Sequence, residues 1–248
     1  MDEYGRLQRL EALGIDVYLR RGTPGPAAPA AIAQFAESTA DLSPPPVTPV
    51  ATDAQALDWP ELRGAVAACT RCELHRTRTQ TVFGVGNLSA RLMFIGEAPG
   101  AEEDRQGEPF VGRAGQLLTQ MIRALGLARS EVFIANVLKC RPPGNRDPSA
   151  REAACCRPFL ERQIELVNPA MIVAVGRIAA QTLLGSEAPL GKLRSRVHDF
   201  GPARRPLIVT YHPAYLLRSP AEKRRAWQDL QFALRTLRES APPARVEH

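Results

Sequence analysis

The chain has 248 residues, of which 44% are hydrophobic and 23% are charged, proportions that are ordinary for a globular protein. Its formal charge of +6 and sequence pI of about 9.4 favour a polyanionic partner such as nucleic acid without requiring one. No apolar run is long enough to cross a membrane, and the first residues lack the layout of a secretion signal. We therefore expect a cytoplasmic protein with no membrane partner.

The first sixty residues differ in composition from the rest of the chain. Residues 1–21 form a short amphipathic segment with leucines at helical spacing, which predicts a helix that docks either on the main domain or on a protein partner. Residues 22–60 are rich in proline, alanine, serine and threonine, which predicts a flexible linker without a core of its own. We expect the main domain to span residues 61–241 and a tail to follow over residues 242–248.

Short apolar runs alternate with helical patterns in the main domain. The apolar runs predict strands at residues 92–95, 132–137, 171–175 and 207–210. The helical patterns lie at residues 113–126, 151–167, 176–184 and 221–238. This alternation predicts an α/β fold, a three-layer α/β/α sandwich with a central parallel sheet of about four strands. The segment 84–86, with two glycines, is too short for a phosphate-binding loop and predicts a turn.

A long loop of glycine, proline and carboxylate residues follows the first predicted strand. It spans residues 96–115 and concentrates Glu97, Glu102, Glu103 and Asp104 ahead of the next helix. In an open α/β sheet the crevice beyond the carboxyl end of a strand is the default ligand site, and glycines there let the backbone approach a ligand. An acidic, solvated loop that caps a helix has the same composition, and composition alone slightly favours that second interpretation.

The five cysteines indicate a metal site or buried thiols rather than disulfides, since we expect a reducing compartment. Cys69 and Cys72 form a C-x2-C pair, Cys140 follows the second predicted strand, and Cys155 and Cys156 are adjacent in the next helix. Four thiolates from these positions can ligate zinc or an iron–sulfur cluster. A zinc ribbon or finger with two C-x2-C pairs does not match this chain, which has one, so the argument for zinc is weaker but zinc stays an alternative. Buried cysteines that act as small apolar residues are the simpler alternative.

Six segments of the main domain resemble, in their order and spacing, one known family. They are CTRCEL at residues 69–74, VFGVGN at 82–87, GEAPG at 96–100, PFVGRAG at 109–115, NVLKCRPPGNR at 136–146 and HPAYLLR at 212–218. Together they resemble the family 4, iron–sulfur class of uracil-DNA glycosylases. The resemblance extends over roughly residues 65–237 and leaves the first sixty residues outside it.

The resemblance implies a uracil-DNA glycosylase-like domain with a 4Fe-4S cluster held by four cysteines. These ligands are expected to be Cys69, Cys72, Cys140 and Cys156, because the segment that begins at Cys156 matches the family's cysteine-proline-leucine pattern. Cys155 is then the spare thiol. We expect the cluster to be structural, because uracil excision involves no electron transfer.

The activity that the resemblance implies is that of a monofunctional uracil-DNA glycosylase. Such an enzyme hydrolyses the N-glycosidic bond between uracil and deoxyribose and leaves an abasic site for base excision repair. The partner is then uracil-containing DNA, single- or double-stranded, and we expect the enzyme to act as a monomer. A related branch that traps uracil covalently carries a histidine in the loop after the second strand. That histidine is missing from residues 140–148, so we expect turnover.

Three side chains suit recognition of an extruded uracil. Phe110 can stack on the pyrimidine face, and Asn136 can accept a hydrogen bond from uracil N3–H and donate one to O4. Cytosine presents the opposite pattern, which gives a physical basis for choosing uracil. His212 can donate to O2, where negative charge develops as the bond breaks. Each residue also has an ordinary alternative, as a core aromatic, a strand-capping asparagine or a structural histidine.

The resemblance further places the backbone of Glu97, Ala98 and Pro99 against the uracil. Ala98 stands where the better-known family of these enzymes has an aspartate that orients the attacking water, and alanine has no group for that task. Glu97 and Glu103 are the candidates to orient the water instead. Strong stabilisation of the departing uracilate, with only weak activation of water, is the other alternative.

Basic and apolar residues near these motifs suit contact with DNA. Arg218, Arg141 and Arg146 are candidates for phosphate contacts, as is Lys139, and Leu217 is a candidate wedge into the base stack. Two other classes of function stay open. One is a non-catalytic iron–sulfur DNA-binding module that recruits partners, which would not need Phe110, Asn136 and His212 together. The other is a zinc-stabilised nucleotide-binding or interaction domain.

Overall fold

The computed structural model describes residues 52–239, and a six-stranded sheet lies at their centre. The strands are β1 (Val85–Gly86), β2 (Leu92–Gly96), β3 (Phe133–Asn136), β4 (Met171–Val175), β5 (His198–Phe200) and β6 (Arg205–Thr210). Their order across the sheet is β1-β3-β2-β4-β6-β5. The four central strands run parallel, and the edge strands β1 and β5 pair antiparallel to their neighbours. The predicted parallel sheet is therefore confirmed, with two further strands at its edges.

Helices cover both faces of this sheet. Within the described residues they are α1 (Thr52–Ala56), α2 (Trp59–Ala67), α3 (Ala101–Gln106), α4 (Arg113–Ala124), α5 (Ala150–Val167), α6 (Arg177–Leu184), α7 (Leu190–Leu193), α8 (Pro213–Arg218) and α9 (Lys223–Glu239). A capping box starts α5, since the Ser149 hydroxyl accepts from the Glu152 N–H and the Glu152 carboxylate accepts from the Ser149 N–H. A left-handed Asn168 ends that helix.

The core has one apolar layer on each face of the sheet. Along β2, Met93 and Ile95 pack with residues of α5 and α6, whereas Leu92 and Phe94 pack with residues of α4 and α9. Because successive side chains of a strand point to opposite faces, this division confirms the three-layer sandwich. Every residue of β2 and of β4 is buried, which explains their uninterrupted apolar sequences.

The segment 84–86 is a strand edge rather than the predicted turn. Val85 and Gly86 pair with Ile134 and Phe133 of β3. Gly86 has a φ of 128°, and a Cβ atom there would lie 1.9 Å from the Val132 carbonyl oxygen, so only glycine lets this edge close onto β3. The other edge strand, β5, is short and partly exposed, which left no apolar pattern to predict it.

The packed body includes residues upstream of residue 61. Ala54 and Leu62 are fully buried and join Phe83 and Phe159 in a third apolar cluster beneath α1 and α2. The predicted helix in residues 1–21, most of the predicted linker and the tail lie outside the described residues, so the division of the chain into segments stays a prediction. Among residues 52–239, no helix has the length and apolar character needed to cross a membrane.

Candidate active site

A cavity of about 710 Å³ lies at the carboxyl edge of the four parallel strands. We call it the edge cavity. Glu97 follows β2, Asn136 ends β3, Gly176 follows β4 and His212 follows β6, and all four line it. In parallel sheets this edge is where ligands bind, because several strand ends and the loops after them meet there.

Asn136 presents an unsatisfied acceptor in this site. Its side chain is 2% exposed, and its Oδ1 is the buried side-chain polar atom that lacks a hydrogen-bond partner within residues 52–239. Leaving a buried acceptor unpaired costs about 1–3 kcal/mol, so a donor from a ligand would recover that free energy. The register pairs Asn136 with Gly96 of β2, where a Cβ atom would lie 2.5 Å from this oxygen.

Phe110 reaches the edge cavity from a strained loop ahead of α4. Its φ is 55°, in the left-handed region that non-glycine residues seldom adopt. Two glycines make room for it: a Cβ atom at Gly115 would lie 1.8 Å from the Phe110 carbonyl oxygen, and one at Gly96 would lie 2.5 Å from the Phe110 ring. The Phe110 ring centroid is 5.7 Å from that of His212, so the two rings share one wall.

His212 is a neutral hydrogen-bond donor in this setting. It caps the N-terminus of α8, and its Nδ1 accepts from the Ala214 N–H at 3.2 Å. Burial, aided by the positive charge of Arg218, lowers the pKa of His212 to about 4. At neutral pH the ring therefore carries one proton, and because Nδ1 accepts, that proton is on Nε2. A Cβ atom at Gly176, whose φ is 99°, would lie 2.9 Å from His212 Cβ, so this glycine lets the ring sit against the end of β4.

Glu97 titrates near neutral pH. Burial and the neighbouring Asp147 carboxylate raise the pKa of Glu97 to about 7, against the opposing effect of Arg177. Arg177 and Asp147 form an ion pair of 2.8 Å, and both line the edge cavity. A carboxylate poised near neutral pH is suited to general-base chemistry. Ala98 and Pro99 also line the cavity beside Glu97.

Glu103 joins two loops instead of presenting a free carboxylate. Its Oε1 accepts from the Val111 and Gly112 N–H groups, both at 3.0 Å, and its Oε2 accepts from the Gly100 N–H at 3.1 Å. Glu103 is in the cavity lining, as the sequence suggested, but both of its oxygens are already engaged. Its observed contacts fix the loop that carries Phe110.

Apart from Lys139, the residues predicted to contact DNA fall into two groups. Arg218 and Arg146 line the edge cavity, whereas Arg141 and Leu217 lie outside its lining. Leu217 is 38% exposed on α8, and Arg141 Nε donates to Asn145 Oδ1 at 2.8 Å. The Arg146 guanidinium donates twice to the buried Glu152 carboxylate, at 2.6 and 2.8 Å, so its position is fixed.

Lys139 is not available to DNA, contrary to the suggestion from sequence. Its side chain is 1% exposed, and Nζ donates to the Asn136 carbonyl oxygen at 2.8 Å and to Gln163 Oε1 at 2.6 Å. Burial lowers the pKa of Lys139 to about 7. This burial could not be predicted from the sequence, because Lys139 lies in a loop directly before Cys140 and Arg141.

All five cysteines line a second, small cavity between the end of α2, the loop after β3 and α5. We call it the cysteine cavity. Cys72, Cys140 and Cys156 are buried, and burial raises the pKa of each thiol, that of Cys156 to about 12. Arg78 Nη1 donates to Cys140 Sγ at 3.1 Å, and the Cys155 thiol donates to the Arg71 carbonyl oxygen at 3.4 Å.

The donors that line the cysteine cavity include five thiols, the ligand type of iron–sulfur clusters. Within the described part of the chain, no group of three histidine, cysteine or carboxylate side chains is arranged to hold a metal ion. A four-iron cluster needs four thiolates spread around it, and here thiols from three segments surround one space. The nearby Arg78 and Lys139 also suit the negative charge of ligated thiolates. Whether Cys155 or Cys156 is the fourth ligand stays a prediction.

Several residues of the edge cavity escaped the sequence-based predictions. Asp147 and Arg177 flank Glu97. Tyr211, Tyr215 and Arg218 also line the edge cavity. Arg177 comes two residues after β4, so the rule that functional residues follow parallel strands was the available signal. Tyr211 carried the same signal, since it directly follows β6, and Tyr215 stacks on it one helical turn later. Asp147 carried no comparable signal, because its partner Arg177 is distant in sequence.

The chain is similar to proteins of known activity. Residues 83–231 match the family model described as the Uracil DNA glycosylase superfamily. The type-4 uracil-DNA glycosylase of Thermotoga maritima is 47% identical over 161 residues, which cover 64% of this chain and 83% of that protein. The type-4 uracil-DNA glycosylase of Archaeoglobus fulgidus is 44% identical over 162 residues, covering 62% and 81%. That of Pyrobaculum aerophilum is 42% identical over 180 residues, covering 70% and 92%.

Proposed function

The chain belongs to the type-4 uracil-DNA glycosylases of the uracil-DNA glycosylase superfamily, and from this membership we propose how its residues carry the reaction. The protein is a uracil-DNA glycosylase that acts in DNA repair by hydrolysing the N-glycosidic bond of uracil in DNA. The family findings do not favour a non-catalytic recruitment module. The edge cavity is also more elaborate than DNA binding alone would need, since it brings Phe110, Asn136 and His212 together.

Our assignment of the uracil site rests on one observation, namely that Asn136 Oδ1 is buried and lacks a hydrogen-bond partner among the described residues. In the proposed complex this oxygen accepts from uracil N3–H, the Asn136 amide donates to O4, and Phe110 stacks on the ring. Cytosine has an acceptor at N3 and a donor at C4, so it would leave the buried amide with two mismatched partners. A buried mismatch of this kind is costly, which gives a specific preference for uracil.

His212 is proposed to stabilise the leaving group through Nε2–H. As the bond to deoxyribose breaks, negative charge grows on uracil O2, and a donor fixed in advance at that position lowers the barrier. Because burial keeps the imidazole neutral, it donates a hydrogen bond without transferring its proton. The bond from Ala214 N–H to Nδ1 keeps the proton on the nitrogen that faces the substrate.

Glu97 is proposed to orient the attacking water, and Glu103 to hold the loop that carries Phe110. Both carboxylates were candidates for the water, and the three backbone bonds of Glu103 favour the structural role for it. Glu97 in its ionised form can accept a proton from water as the sugar becomes electron-deficient. The pKa of about 7 places this ionised form at neutral and alkaline pH.

Cys69, Cys72, Cys140 and Cys156 are the proposed ligands of a 4Fe-4S cluster. When bound, the cluster would supply a structural link among the end of α2, the loop after β3 and α5. No step of the excision reaction passes through it in this proposal. The proposed DNA contacts are Arg218, Arg146 and Arg141 with phosphates, and Leu217 as the wedge. Action as a monomer and a protein partner for residues 1–21 remain predictions.

The test is release of free uracil from a uracil-containing oligonucleotide by the iron-replete full chain. We expect release by the wild type and a loss of about 10²–10³ in kcat for His212→Ala, the size of effect seen when one donor to a developing oxyanion is removed. His198→Ala is the matched control, since His198 contacts the Leu193 carbonyl outside the edge cavity and its loss should leave kcat unchanged. Retained DNA binding without uracil release by the wild type would support the recruitment module.

A further inference from the structure

An aromatic column lies near the mouth of the edge cavity. The Tyr211 and Tyr215 rings are stacked, with centroids 5.3 Å apart and planes inclined by 17°. On the Tyr211 ring, the guanidinium carbon of Arg194 lies 4.3 Å from the centroid. Both tyrosines line the edge cavity, yet neither has a role in the excision chemistry proposed above.

The inner end of this column is held rigidly. Arg194 donates to both carboxylate oxygens of Asp229, at 2.7 and 2.9 Å, and its Nη1 donates to the Tyr211 hydroxyl at 3.1 Å. Asp229 is 2% exposed and also accepts from the Thr210 hydroxyl at 3.0 Å. A buried, bidentate pair fixes the guanidinium plane, so Tyr211 is a rigid support for the Tyr215 ring that stacks on it.

The outer end of the column is open. Tyr215 is 38% exposed although its neighbour Leu216 is buried and anchors α8 to the body. Tyr211 stacks on one face of the Tyr215 ring, so a further ring would have to stack on the opposite face. Arg218 lies one turn further along the same helix and lines the same cavity. An aromatic face and a cation next to each other are the two elements with which proteins bind unpaired nucleic acid.

We propose that Tyr215 is a stacking platform for the base next to the extruded uracil. The proposal rests on the function given above, since it takes uracil-containing DNA as the occupant of the edge cavity. Moving uracil out of the base stack uncovers a face of each neighbouring base. The neighbouring nucleotides must then lie at the cavity mouth, where the open face of Tyr215 replaces the lost stacking. Arg218 suits the phosphate that joins the two nucleotides.

The experiment crosses variants of Tyr215 with substrates that lack one neighbouring base. Dissociation constants are measured for single-stranded oligonucleotides that contain 2′-fluoro-2′-deoxyuridine, in which the electron-withdrawing fluorine slows bond breakage. One oligonucleotide has normal neighbours, a second has an abasic analogue on the 5′ side, and a third has it on the 3′ side. The proteins are the wild type, Tyr215→Ala, Tyr215→Phe and Trp227→Ala. Trp227 is an aromatic residue of similar exposure, 37%, outside the cavity lining.

We expect Tyr215→Ala to raise the dissociation constant about tenfold for the normal oligonucleotide, in the range found for loss of one base–aromatic stack. The rise should vanish with the oligonucleotide that lacks a base on one particular side, because the stacking partner is then already missing. Tyr215→Phe keeps the ring and should bind as the wild type does, as should Trp227→Ala. A rise of equal size with all three oligonucleotides, or no rise with any, would overturn the platform.

Uracil release from ordinary deoxyuridine oligonucleotides is measured in parallel to separate the two proposals. If Tyr215→Ala raises the dissociation constant only when the neighbouring base is present, and the wild type releases no uracil, the platform is supported and the excision reaction is refuted. Release by the wild type with no effect of Tyr215 on binding would refute the platform alone.

Discussion

Two side chains of the site have pKa values moved in opposite directions by the same cause. Burial disfavours the charged form of each group, which raises the pKa of Glu97 to about 7 and lowers that of His212 to about 4. His212 is therefore neutral throughout the range in which Glu97 titrates. The proposed working state, a neutral donor with an ionised carboxylate, is populated above pH 7 and declines as the pH falls through 7.

Glu97→Gln should lower kcat by about 10²–10⁴, the usual contribution of general-base catalysis. The wild-type kcat should rise with pH around a midpoint near 7, because the ionised form of Glu97 is the active one. In the variant this rise should be absent. The measurement is kcat for uracil release between about pH 5 and about pH 9, a range in which His212 does not change its charge.

The charged neighbours of Glu97 supply the control for this profile. Asp147 raises the pKa of Glu97 and Arg177 lowers it. Asp147→Asn removes the negative charge, so the midpoint should move to lower pH. An unchanged midpoint in both Glu97→Gln and Asp147→Asn would assign the titration to a different group.

At the level of elements, the short helix α3 organises the loop that precedes α4. The Glu103 carboxylate on α3 binds three backbone N–H groups, one before its own helix and two before α4. These groups belong to helix starts, whose first N–H groups have no partner within the helix. A single acidic residue thus satisfies donors from two elements and sets the position of Phe110 between them.

Glu103→Gln should destabilise the fold by about 1–3 kcal/mol, because the amide keeps one acceptor and turns an N–H group toward a backbone donor. We also expect KM to rise, since the Phe110 loop loses its fixed position. The matched control is Glu102→Gln on the same helix, where an exposed carboxylate accepts from the Arg105 and Gln106 side chains. Denaturant unfolding and KM should both distinguish the pair, and equal behaviour of the two variants would contradict the role given to Glu103.

The elements that the sequence predicted are those with strong local patterns. β2 and β4 are apolar along their whole length because both faces of a parallel sheet are covered, and α5 begins with a capping box. β1 and β5 were missed because short edge strands half-exposed to solvent carry no such pattern. Their pairing is a tertiary interaction, which local sequence does not encode.

The site was predictable to the extent that its residues follow strand ends. Asn136 and His212 end or follow buried strands, and a lone polar residue there is conspicuous. The buried position of Lys139 was not predictable, because it depends on Gln163, which comes from α5. The ion pair of Asp147 with Arg177 likewise joins residues far apart in the chain.

At the level of the whole molecule, one short segment connects the edge cavity to the cysteine cavity. Asn136 lines the first and Cys140 the second, and Lys139 between them donates to the Asn136 carbonyl oxygen. The same lysine donates to Gln163, whose amide donates to the Phe83 carbonyl oxygen at 2.9 Å. One buried hydrogen-bond network therefore holds the segment that carries both Asn136 and Cys140.

Cys140→Ala should lose its iron and unfold at a lower temperature, because the segment after β3 would no longer be tied to α2 and α5. Cys155→Ala should keep its iron, since Cys156 is the proposed fourth ligand. Iron content and visible absorbance report the first effect, and thermal unfolding reports the second. Full iron content in Cys140→Ala, or its loss in Cys155→Ala, would contradict the ligand assignment.

The glycines beside the edge cavity have a consequence for how mutational tolerance is interpreted in this protein. At Gly96, Gly115 and Gly176 a single methyl group would collide with Phe110, with Asn136 Oδ1 or with His212. None of the three glycines has a functional group, yet an exhaustive substitution scan should find them as intolerant as the residues they support. Intolerance to substitution in this enzyme would therefore mark two kinds of position: those that supply a functional group and those that must stay small to leave room for one.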